Sequence, residues 1–161
     1  MTVGILFNKP GVFEEYKEAV SGHRQLPMKS YSLLHGQGIT TKIITTKVPE
    51  NQTLPLSFDS IDLSNLVFIT DPNKQKQTSV VKDGHIKGVS LLGLLRFIFD
   101  LFKEISNNRI KTLFVFGTPK FAAFSGLIKI LNPSVKLIWV TEFYSRPPLR
   151  SLDILINTTF R

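Results

Sequence analysis

The stretch TEFYSRPPLR, Thr141–Arg150, sets a carboxylate, two aromatics and an arginine directly behind an apolar run. Glu142 can take a proton from a hydroxyl or hold that hydroxyl in place. Arg146 can pair with a phosphate through its planar fork. The same residues also suit a proline-braced loop with an ordinary surface ion pair. Two smaller features have anion-binding potential. Ser21-Gly22 precedes a helical pattern, and Gly117-Thr118 separates a strand pattern from a helical one. In both, the small residue lets a ligand approach the backbone, and the following helix N-terminus attracts negative charge. A plain strand-to-helix turn has the same composition, so both readings stay open.

Several other chemistries lack their residues. There is no Cys, which excludes disulfides, thiolate metal sites and cysteine nucleophiles. The three histidines, His23, His35 and His85, have no metal-ligand spacing, so no metal is expected. No G-x-x-x-x-G-K-[ST] phosphate loop, G-x-G-x-x-G fingerprint after the first strand or G-x-S-x-G elbow occurs. Gly36-Gln37-Gly38 comes before a strand, where it cannot present a helix N-terminus to a pyrophosphate. Glu14-Glu15 read as solvated surface. No cofactor is called for.

These residues need elements to position them. Apolar, β-rich runs recur at Thr2–Phe7, Thr40–Thr45, Leu66–Thr70, Thr112–Phe116, Val135–Val140 and Ile154–Ile156. They are continuous rather than alternating, as in strands buried on both faces of a parallel sheet. Helical patterns separate them. The expectation is one α/β domain, doubly wound and Rossmann-like, with three layers and a mostly parallel sheet of about six strands. The first helix is predicted from about His23 to Leu34, with Pro27 tolerated in its first turn and Gly36 or Gly38 stopping it. The second runs from about Val89 to Ser106, its core stripe being Leu91, Leu94, Leu95, Ile98, Leu101, Phe102 and Ile105. The third opens at Thr118-Pro119, an N-cap followed by proline, and buries Phe121, Phe124, Ile128 and Leu131. Between Asp71 and Gly88, SVVKDGHIKGV suits a small hairpin about Asp83-Gly84. In such a fold, ligands sit beyond the carboxyl ends of the strands at the switch in strand order.

The chain has 161 residues, 42% of them hydrophobic, enough for one sizeable core. Its net charge is +8, with an isoelectric point near 9.8. That balance suits an anionic membrane, a phosphate-bearing small molecule or nucleic acid, or simply a lysine-rich soluble surface. Nucleic acid ranks last, because the aromatics lie in apolar runs and are not interleaved with Lys and Arg. The second helix is apolar on more than one side: Leu92, Phe97 and Phe99 fall outside its stripe. Arg96 and Asp100 interrupt it, so it does not read as a membrane span. It would either insert shallowly at a bilayer interface or be covered by a neighbouring helix or partner chain. The apolar start covers only Val3 to Phe7, with no signal peptide visible. A cytoplasmic location, or a peripheral one on the inner face of the membrane, is expected, and the sequons at Asn51 and Asn157 then carry no meaning.

Strand, loop, small-residue turn, helix, glycine and β-branched strand together resemble the start of GT-B glycosyltransferases, particularly family 4. Ser21-Gly22 stands where that family has a Gly pair, and HGQGITTKIITT (His35–Thr46) is similar to its Arg-Gly-His element and following strand. RIKTLFVFGTPKFAAFSGLIKIL resembles its Asp-Val-Val-His strand and Ala-rich helix, with Gly117-Thr118 in place of the histidine. KLIWVTEFYSR resembles the next strand, with Glu142 where a histidine is common, and SLDILINTTF the strand that closes the first half. The resemblance spans nearly the whole chain but only the N-terminal, acceptor-side half of such an enzyme. It implies a retaining transfer from a nucleotide-sugar donor to a sugar or lipid-linked acceptor, with no protein-bound metal. It implies that Gly22 approaches the donor diphosphate, Glu142 lies near the reacting sugar and Arg146 binds phosphate. The donor-binding domain is expected on a partner chain or elsewhere, and the isolated domain is expected to be inactive. The alternatives are a stand-alone nucleotide- or phosphate-binding module and a membrane-peripheral interaction module.

Overall fold

The computed structural model describes residues 2–7, 26–46, 62–70, 91–140 and Thr158. Five strands form one sheet: β1 (Thr2–Phe7), β2 (Thr40–Thr46), β3 (Leu66–Ile69), β4 (Ile110–Phe116) and β5 (Lys136–Val140). Their order is β3-β2-β1-β4-β5, and every pairing is parallel. Phe7 sits level with Thr45 on β2 and Phe116 on β4. The helices are α1 (Leu26–Gly36), α2 (Leu91–Asn107), α3 (Pro119–Gly126) and the short α4 (Ile128–Leu131).

The α/β, doubly wound, parallel architecture is the one expected. The sixth strand, Ile154–Ile156, and the hairpin about Asp83-Gly84 lie outside the described residues. The strands are legible because their residues are buried on both faces. Ile5 and Phe7 pack with Ile43, Phe116, Met28 and Tyr31 on the α1 side. Leu6 packs with Ile44, Leu113, Phe97, Leu101 and Phe121 on the side of α2, α3 and α4. Fully burying one such side chain is worth about 1.5–3 kcal/mol, so the two layers supply most of the driving force.

Gly4 lies at the sheet centre. A Cβ there would come within 2.7 Å of Leu113 Cδ1, so glycine lets β1 and the Leu113 side chain share the space. α1 ends two residues beyond the expected Leu34, in a glycine cap. Gly38 has φ +74, and the N–H groups of Gly38 and Ile39 donate to the carbonyls of His35 (2.9 Å) and Leu34 (3.0 Å). This double bond is the Schellman pattern, which occupies carbonyls the helix leaves free.

Two packing expectations are corrected. On α2, Leu101 and Ile105 are buried and Leu94, Ile98 and Phe102 pack against the core as read in sequence, but the stripe is turned toward Phe97 and away from Leu91 and Leu95. Phe97 is fully buried and tilts against the Phe121 ring at 5.6 Å, so it cannot serve as a membrane or partner contact. Leu91 and Leu95, expected inside, are exposed, whereas Leu92 and Phe99 are exposed as expected. The predicted third helix is two pieces, interrupted at Leu127, whose N–H donates to Phe124 O at 3.2 Å in a tightened turn. Phe121 and Ile128 are buried, Phe124 is half-buried and Leu131 is exposed.

Candidate functional site

Strand order locates the site. From β1 the chain builds outward through β2 and β3, then returns to the other flank of β1 for β4 and β5. The switch point is therefore the crevice between the carboxyl ends of β1 and β4. Gly117 and Thr118 follow β4 there.

Three neighbours hold this turn. Gly117 has φ +153, and its carbonyl accepts the indole N–H of Trp139 on β5 at 3.1 Å. A Cβ on Gly117 would stand 2.9 Å from Phe121 Cδ1, so a side chain is excluded by backbone conformation and by space. Thr118 is the N-cap of α3: its hydroxyl oxygen accepts the Phe121 N–H at 3.3 Å, and its carbonyl accepts from Ala122 N–H at 3.0 Å. Pro119 opens the helix as the sequence predicts.

Lys120 sits in the first turn of α3, 5.8 Å from the Phe124 ring centroid. A cation at a helix N-terminus opposes the helix dipole and adds to the positive potential there. The turn thus combines a narrow glycine backbone, a polar cap and a positive helix end. That combination can receive a phosphate or another anion.

Of the other sequence-predicted residues, Ser21, Gly22, Glu142 and Arg146 lie outside the described residues. The strands that lead into their segments, β1 and β5, both end at the same carboxyl edge as Gly117.

Two residues at this edge escaped the sequence reading. Thr45, level with Phe7, is buried, and its hydroxyl has no hydrogen-bond partner among the described residues. Such a group is uncommon, because an unsatisfied buried hydroxyl costs free energy. The signal is a pair of threonines directly after the Ile43-Ile44 pair at the end of β2. Asp100 on α2 is the second. One oxygen of its half-buried carboxylate accepts both the Thr70 N–H (3.0 Å) and the Thr70 hydroxyl (2.6 Å). It ties α2 to the chain just past β3. In sequence Asp100 was visible only as a charge interrupting an apolar helix. Among the described residues no cluster of His, Asp and Glu could hold a metal ion.

No protein-family model matches the chain, and no curated protein matches it in sequence. Its fold is similar to solved structures. MurG of Acinetobacter baumannii superposes with a TM-score of 0.53 and 12% identity, over 99% of this chain and 39% of that one. UDP-GlcNAc 2-epimerase of Neisseria meningitidis, solved bound to UDP-GlcNAc, superposes with a TM-score of 0.52 and 14% identity, over 99% of this chain and 39% of that one. The chain thus spans well under half the length of either protein. At this identity the likeness is one of fold, and the fold is that of a Rossmann-like domain of the GT-B class.

Proposed function

We propose that this chain is the acceptor-side domain of a retaining glycosyltransferase that uses a nucleotide-sugar donor. The observation that carries the reading is the coincidence of fold and turn. Nearly the whole chain superposes on GT-B-class proteins, one of them solved with UDP-GlcNAc. The anion-receptive Gly117-Thr118 turn lies at its switch point.

In this reading Gly117, Thr118 and the α3 N-terminus face the donor diphosphate. Ser21 and Gly22 approach it from the loop after β1, and Arg146 adds a guanidinium to the phosphate oxygens. Glu142 stands near the acceptor hydroxyl and the reacting sugar, to orient the hydroxyl and receive its proton. The acceptor is a sugar or a lipid-linked sugar. A second Rossmann-like body, on a partner chain or in a longer polypeptide, supplies most donor contacts. Without it the domain binds donor weakly and does not turn over. The alternative is a stand-alone nucleotide- or phosphate-binding module, favoured by the completeness of the Gly117 turn without a second body.

Trp139 is the sole tryptophan and donates to the Gly117 carbonyl, so its fluorescence reports on the turn. Titration with UDP and UDP-GlcNAc should change the emission, with a Kd in roughly the millimolar range, as expected for a partial site. Thr118→Val and Arg146→Ala should each weaken binding without unfolding the domain. An unchanged emission, with no heat of binding by calorimetry, would overturn the reading. Micromolar binding abolished by Gly22→Val would favour the stand-alone module.

A further inference from the structure

α2 carries more apolar surface than its own fold covers. Phe97, Leu101 and Ile105 are buried against the sheet side. Leu91, Leu92, Leu95 and Phe99 are 72%, 60%, 54% and 63% exposed. Spaced one, four and eight residues from Leu91, they share one side of the helix. Arg96 lies four residues after Leu92 and Lys103 four after Phe99, so two exposed cations border the same side. The carboxylates of the helix are committed elsewhere: Asp100 holds Thr70, and Glu104 accepts from the Asn108 side chain at 3.1 Å. α4, which packs against α2, exposes Ile130 and Leu131 as well. Six of the seven large exposed hydrophobics among the described residues therefore lie on this one layer.

The position of the face matters as much as its composition. Asp100 is level with Thr70, immediately past the end of β3. Leu91, Leu92, Leu95 and Phe99 all precede Asp100, in the first half of α2, while Phe97 in the same stretch is buried in the core. The exposed apolar residues of α2 are thus confined to its first half, with Ile130 and Leu131 of the adjoining α4 exposed on the same layer.

We infer that the exposed apolar face of α2 docks on the surface of an anionic lipid bilayer. Charge decides among occupants. A second copy of this chain, packed face to face, would set Arg96 and Lys103 against their own images. A bilayer carrying acidic headgroups complements them, in keeping with the net charge of +8. Leu91, Leu92, Leu95 and Phe99 enter the headgroup–acyl boundary, and the two cations meet lipid phosphates. The helix lies flat, because its opposite side stays anchored in the core. Among the described residues no helix is long and apolar enough to cross a membrane.

The test is flotation of the whole chain with phosphatidylcholine vesicles, with and without phosphatidylserine, at low and raised salt and without nucleotide. Binding should require phosphatidylserine and fall as salt rises. Phe99→Asp and Leu92→Asp should each lower partitioning by roughly tenfold or more while leaving the melting temperature unchanged, since both positions are exposed. Arg96→Glu combined with Lys103→Glu should abolish the phosphatidylserine preference. The inference is overturned if the wild type binds neither vesicle, or if the variants bind as the wild type does. A dimer at assay concentration that Phe99→Asp dissolves would also overturn it, by assigning the face to a second copy. With no nucleotide present, the result does not depend on donor binding.

Discussion

Gly117 is fixed from two directions, by the Trp139 indole on its carbonyl and by the Phe121 ring where a side chain would be. Gly117→Ala must leave φ +153 or push against Phe121 Cδ1, which is itself buried. A cost of about 1–3 kcal/mol in denaturant unfolding is expected. Two phenylalanines two residues apart provide a sharper contrast. Phe97→Ala empties a site in the sheet–helix core and should cost about 3–5 kcal/mol. Phe99→Ala removes an exposed ring and should change stability by less than about 0.5 kcal/mol. Paired urea titrations decide both, and equal losses would place the α2 stripe where the periodicity alone put it.

That contrast also shows how far the sequence could be read. The strands were legible because β1, β3, β4 and β5 are mostly apolar and β2 is mostly β-branched, and a run buried on both faces has no orientation to mistake. The N-cap at Thr118 and the stop at Gly36–Gly38 were legible because cap chemistry is local. The rotation of α2 was not. Leu94, Ile98, Leu101, Phe102 and Ile105 face the core as their period predicts, but Leu91 and Leu95 keep that period as well as Phe97 does. Periodicity gives a stripe its spacing, but contact with Phe121 and the sheet sets its phase. The candidate site was legible only as a location. Gly117 and Thr118 could be placed at a strand-to-helix turn, but Trp139, Thr45 and Asp100 join it through pairings far apart in sequence.

At the scale of elements, β3 is an edge strand and two devices hold it. Asp100 anchors the carboxyl side. Asp100→Ala leaves the Thr70 N–H and hydroxyl without their acceptor and should cost about 1–3 kcal/mol, with Asp100→Asn losing less; thermal melts of the pair measure it. Asp62 secures the amino side, its carboxylate accepting the Ser64 hydroxyl (2.7 Å) and the Ser64 N–H (2.9 Å). The Ser64 hydroxyl first, then its N–H, hold the Asp62 carboxyl below the usual carboxylate range. A depressed folded-state pKa means that this contribution is present above the unfolded value and fades as pH falls through the folded one. The Asp62 side-chain carbon shift should therefore titrate with a midpoint below the free-aspartate value of about 3.9. The Ser64 amide shift should follow it and stop responding in Asp62→Asn. A midpoint at or above the free value would mean that the turn is not closed in solution.

For the whole molecule, the sheet order puts β1 at the centre, paired on both flanks, and β3 at one edge. Hydrogen exchange should reflect that arrangement. The amides of Ile5 and Leu6 should open only with global unfolding, and those of Leu66–Ile69 much sooner. Uniform protection across the sheet would contradict a graded stability.

The central place of β1 has a further consequence for the order of events in making the protein. Gly4 pairs with Leu113, so β1 cannot gain its second neighbour until synthesis has reached β4. Until then β1 has only β2 beside it, and the backbone N–H and C=O groups along its other edge lack their strand partner. Parallel pairings of such long sequence separation form slowly, because the loop must close before any contact rewards it. The nascent chain therefore carries an apolar strand with one open edge until β4 emerges, the condition under which early chains associate with one another or with chaperones.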